Sequence, residues 1–136
     1  MMSHRVLKAL ISSILLSVSL VCVGADMTLK VDQSTIVRLE QLREESKFLD
    51  LPGAPAAEER SRLEPLINSL LDRLIAGIRT HPTSGWVVEQ MDPTVEAFHL
   101  EDTEARERCI EYLDRTFRIL GIPNDGGAFR KYMIIW

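Results

Sequence analysis

The chain has 136 residues, 46% of them hydrophobic and 26% charged, with a formal net charge of −4. This is one domain's length, too apolar to remain disordered. The acidic balance repels phosphate backbones and anionic lipid, so nucleic acid and membrane surfaces are excluded as partners, whereas a basic protein surface is compatible.

The first element is a leader. Arg5 and Lys8 precede residues 9–21, an apolar run interrupted only by serines, and Val23-Gly24-Ala25 puts small residues ahead of Asp26. The pattern predicts a cleavable secretory signal over residues 1–25, a single domain over 26–136, and a periplasmic location. The apolar run is too short for stable membrane insertion. Two alternatives stay open: Cys22 as a lipidated cysteine, and Met27 as the true start. Cleavage would remove Arg5 and Lys8, leaving 14 of the 16 basic side chains against 20 acidic ones, a net charge of −6. It would also remove Cys22, leaving Cys109 with no intramolecular partner. A lone cysteine on an apolar helical face reads as a core residue, against a reactive thiol or an intermolecular bridge.

Residues 26–33 read as a polar lead-in. Ser34 is the expected N-cap of a first amphipathic helix over 35–49, with Ile36, Leu39 and Leu42 on its apolar face and Phe48 and Leu49 closing it onto the core. Pro52-Gly53-Ala54-Pro55 breaks the chain. The second helical segment starts near Pro55 and meets Ser61-Arg62-Leu63-Glu64-Pro65, which predicts either a kink or a short turn into a new helix. Leu63, Ile67, Leu70, Leu71, Leu74 and Ile78 form the clearest apolar stripe, so this helix is expected at the centre of the bundle.

A loop over 80–85 precedes a third helix carrying Trp86, Val87, Val88 and Met91, expected to stop or bend at Pro93. The fourth runs from about Thr103 to Leu120, with acids at its start complementing the helix dipole and Gly121 and Pro123 specifying its stop. Residues 124–127 form a turn, and 128–136 a short closing element. Strand patterns are nearly absent. The expected fold is all-α, an irregular bundle of four to five helices.

No set of residues carries recognisable catalytic chemistry, so the chain reads as a non-enzyme. His81 and His99 have no partner at metal-ligand spacing, and no phosphate-binding or nucleophile motif occurs, so neither metal nor cofactor is expected. Glu104, Glu107 and Glu111 share a helix face, with Asp102 just before. They read either as a docking face for a basic surface or as a solvated face paired with Arg106, Arg108 and Arg115. The Pro/Gly-rich loops are the other candidates. Asp102, Glu104, Glu107, Trp86, Asn124 and Asp125 are therefore the candidate partner-binding residues; Phe129 and Trp136 are further anchors if exposed.

The run Asp102-Thr103-Glu104-Ala105-Arg106-Glu107, followed by Tyr112-Leu113, Ile119-Leu120-Gly121-Ile122 and Asp125-Gly126, resembles the C-terminal half of a family of small helical bacterial domains of unknown function. Phe48-Leu49 and Leu51-Pro52-Gly53 fit its N-terminal half, so the resemblance covers most of 34–136. It implies a helical fold and transfers no catalytic residue. By type, a small, acidic, helical chain with a leader is similar to the periplasmic immunity proteins that neutralise secreted antibacterial toxins by occluding them. That likeness implies a cognate toxin with a basic surface as partner; the alternative is a periplasmic binding or envelope-accessory module with no toxin partner.

Overall fold

The structure, a computed structural model, describes residues 26–49, 56–132 and 134. The leader, the break at residues 52–55 and Trp136 lie outside the described residues. The fold is all-helical: α1 (Gln33–Glu44), α2 (Ala57–Gly77), α3 (Ser84–His99), α4 (Thr103–Leu120) and a closing 3-10 helix, Ala128–Tyr132. Among the described residues there is no strand, only an isolated antiparallel bridge between Thr28 and Thr83.

α1 packs on α2 and α4, and α3 packs on α2, α4 and the 3-10 helix. The four helices thus close a ring, α2 lying between α1 and α3, and α3 has the 3-10 helix as a further neighbour. α2 offers one buried stripe, Leu63, Ile67, Leu70, Leu71 and Leu74, and turns a charged back to water. α3 is shorter and carries few charges, and it buries Val87, Met91, Val95 and Phe98 between its neighbours. Burial of some two dozen apolar side chains at about 25 cal/mol per Å² is the main stabilising contribution.

Two local expectations are corrected, and one open alternative is decided. The N-cap of α1 is Asp32, not Ser34: its carboxylate accepts from the Thr35 amide at 2.8 Å, and the Ser34 hydroxyl donates to the same oxygen. α1 ends at Glu44, short of Leu49. The fully buried Lys47 folds back to donate from Nζ to the carbonyls of Arg43 (3.1 Å) and Glu45 (2.8 Å), satisfying acceptors that the helix end leaves open. Phe48 then enters the core with φ at 62°, its amide donating to the Tyr112 hydroxyl at 3.0 Å and its ring stacked on Phe98. At Pro65 and Pro93, where a stop and a continuing helix were both open, the helix continues through the proline. Both prolines are exposed, so the bond each forfeits lies on the water side, where solvent satisfies the freed carbonyl. Near Pro93, the Arg73 guanidinium also donates to the Gln90 carbonyl at 2.9 Å.

Candidate functional site

A concavity of about 760 Å³ forms a groove between the start of α3 and the loop after α4. One wall is built by the lead-in. The Leu29 amide donates to the Pro82 carbonyl at 2.7 Å, and the Ser84 amide to the Met27 carbonyl at 2.9 Å, so residues 26–29 lie along the loop before α3 as a short ribbon. Asp26 Oδ1 accepts from the Gly85 amide (2.7 Å) and the Ser84 hydroxyl (3.1 Å), putting a carboxylate on the positive end of the α3 dipole. A Cβ at Gly85 would stand 3.0 Å from that oxygen, so the Asp26 side chain would have to give by a few tenths of an ångström. Thr83 caps α3 by accepting from the Trp86 amide at 3.3 Å.

The opposite wall is the loop that Gly121 starts. Gly121 is left-handed at φ 72°, and the Ile122 amide donates to the Phe117 carbonyl at 2.9 Å, which closes the helix end and turns the chain. Asp125 is buried, its carboxylate accepting from the amides of Gly127 (3.0 Å) and Phe129 (2.7 Å). Asn124 Oδ1 accepts from the Gly126 amide at 2.9 Å. The loop is thus a rigid lip whose own polar side chains hold its shape. Met27, Val88 and Ile122 contribute apolar lining, and Asp26 and Glu89 contribute carboxylates.

The six residues singled out by sequence do not form one site. Asn124 and Asp125 line the groove, as scaffold. Trp86 lies outside it; its ring rests over Gly77, where a Cβ would come within 2.5 Å of Cζ2, and stacks on His81 at 5.3 Å. Asp102, Glu104 and Glu107 sit at the far end of α4, about 25 Å away at ~1.5 Å per residue. Asp102 caps that helix, accepting from the Ala105 amide at 2.9 Å, and Glu104 and Glu107 are exposed. The neighbouring Glu101 is held below the usual carboxylate range by its hydrogen bonds from Arg62. Of the interleaved arginines, Arg108 pairs with Glu111 and Arg115 with Glu45, the residue after α1. Phe129 is fully buried and is no surface anchor.

Sequence reasoning missed Asp26, Val88 and Glu89 as groove residues, whereas Ile122 belongs to one of the candidate loops. The one available signal was the Ser84-Gly85 helix start, which leaves amide donors free for a carboxylate from elsewhere. Cys109 is buried, and desolvation pushes its thiol up to about 12, so it stays protonated and inert at neutral pH. Among the described residues, no group of three or more His, Cys, Asp or Glu is arranged to hold a metal ion, and no helix is long and apolar enough to cross a membrane.

No curated protein and no solved structure matches the chain. The model of the domain-of-unknown-function family DUF4844 matches residues 30–134. That span takes in all four helices and the lip and begins just after the ribbon of residues 26–29, and the chain belongs to the DUF4844 family.

Proposed function

We propose that this domain is a stoichiometric binding protein that works outside the cytoplasm, capturing a basic protein segment in the groove beside α3. The observation that carries the reading is the groove itself. It has apolar lining from Met27, Val88 and Ile122, carboxylates from Asp26 and Glu89, and a lip held rigid by Asp125. A rigid concavity loses little conformational entropy on binding, and carboxylates beside apolar lining favour the long apolar stem and cationic head of lysine or arginine. The exported reading of residues 1–25 and the acidity of the processed chain point to a secreted antibacterial toxin as the partner, neutralised by occlusion. Charge opposition would speed capture.

The test is a competition between strains. A strain lacking this chain is expected to be killed by its intact parent and rescued by the wild-type chain, but not by Glu89→Lys, whose product accumulates normally. Survival of the deletion strain beside its parent would sink the toxin reading. Rescue by Glu89→Lys would remove the groove from it.

A further inference from the structure

A second concavity lies on the opposite charge. Arg38, Gln41 and Leu42 follow one another at helical spacing on α1, with Glu45 just past its end, and Arg115, Arg118 and Ile119 do so on α4; together they line a shallow cleft of about 270 Å³ where the two helices pack. Three guanidinium groups therefore meet in one place on a chain whose acids outnumber its bases, 20 to 16. Their compensation is incomplete. Arg115 pairs with Glu45 at 2.7 Å and Arg118 with Asp114 at 2.5 Å, whereas Arg38 pairs with no carboxylate among the described residues. Nearby, Arg43 is already held by Asp72 at 2.9 Å.

The ammonium of Lys47 reports the local field. Burial is the main cause that pushes it down; Glu64 and Glu45 oppose this, and Arg43 and Arg115 add to it. The two carboxylates are the larger charge effects at Lys47, so the positive character of the cleft rests on the arginines that line it, Arg38, Arg115 and Arg118. A guanidinium is a planar fork that matches the oxygens of phosphate or carboxylate, and two forks from separate helices select a ligand with more than one anionic group.

We propose that the cleft between α1 and α4 is a binding site for a small polyvalent oxyanion, gripped by Arg38 from α1 and Arg118 from α4, with Arg115 and the Gln41 amide beside them. Leu42 and Ile119 form its apolar floor. The site is independent of the groove beside α3 and takes ligands of the opposite charge. An occupant bridges two helices, so it also stiffens their contact.

The test uses pyrophosphate and citrate as probes, titrated at fixed ionic strength into the isotope-labelled protein and followed by amide and arginine Nε resonances. The expected result is saturable shifts confined to Arg38, Gln41, Arg115, Arg118 and their neighbours, together with a higher melting temperature. Saturation by pyrophosphate alone marks a phosphoryl ligand, and saturation by both or by citrate alone a carboxylate-tolerant one; either supports the site. Arg38→Ser and Arg118→Ser, both at exposed positions, are each expected to weaken binding about tenfold, while Arg60→Ser leaves it unchanged. Circular dichroism checks that each variant is folded. Shifts that never saturate, that spread over the whole surface, or that survive in both variants would overturn the proposal.

Discussion

Trp86 lies flat against α2 because residue 77 has no side chain. A Cβ there would come to 2.5 Å from Cζ2 and 2.6 Å from Cη2 of the indole, closer than side-chain atoms pack. Alanine favours a helix over glycine by ~1 kcal/mol, but overpacking costs roughly 1–3 kcal/mol, and the ring is wedged between Gly77 and His81. Gly77→Ala is therefore expected to lose about 1 kcal/mol net. The check is the urea midpoint, with tryptophan emission showing a more exposed ring; a higher midpoint would show that the indole swings aside freely. Phe48 makes the complementary point about backbone. A bulky residue at φ 62° is disfavoured, and it persists here because its ring is fixed by Phe98 and Tyr112 and its amide by the Tyr112 hydroxyl.

Among the elements, α1 depends most on its caps, having few buried residues and no acid in its first turn. Hydrogen bonds from the Ser34 hydroxyl, then the Thr35 amide and hydroxyl, hold Asp32 down at about 2, against an ordinary 3.8. A carboxylate held down in the folded state contributes stability above its unfolded value, and that contribution disappears as pH falls towards the folded one. Asp32→Ala is thus expected to destabilise the protein at pH 6, with the difference from wild type shrinking between pH 4 and 2. Denaturation series at both ends of that window decide it, and a constant difference would mean the cap works without its charge. The helical period made all four helices legible in sequence, and Gly121 with Pro123 located the end of α4. The end of α1 was not legible. Phe48 and Leu49 continue its apolar spacing, and nothing local shows that Lys47 turns inward to close the helix five residues earlier. Pro65 and Pro93 left a stop and a bend equally open, because a sequence does not reveal which side of a helix meets water.

For the whole molecule, the groove beside α3 joins segments from three parts of the chain: residues 26–27, 84–89 and 122–128. No window of sequence contains it, which is why the acids of α4 stood out first: they are adjacent in the chain, whereas Asp26 and Glu89 meet only through the fold. If the groove captures a basic partner, long-range attraction governs how fast the two meet. Raising salt from 0.05 to 0.5 M shortens the screening length severalfold, so the association rate is expected to fall by about tenfold with little change in dissociation. Stopped-flow mixing with the purified partner measures both rates, and an association rate indifferent to salt would remove charge from the recognition.

The ribbon of residues 26–29 is at once a wall of the groove and a strip held by a handful of bonds to the loop before α3. Peeling it away would erase the cavity, so fraying and occupancy are mutually exclusive. Whatever settles there must act as a clasp on residues 26–29, and whatever loosens those residues must eject the guest.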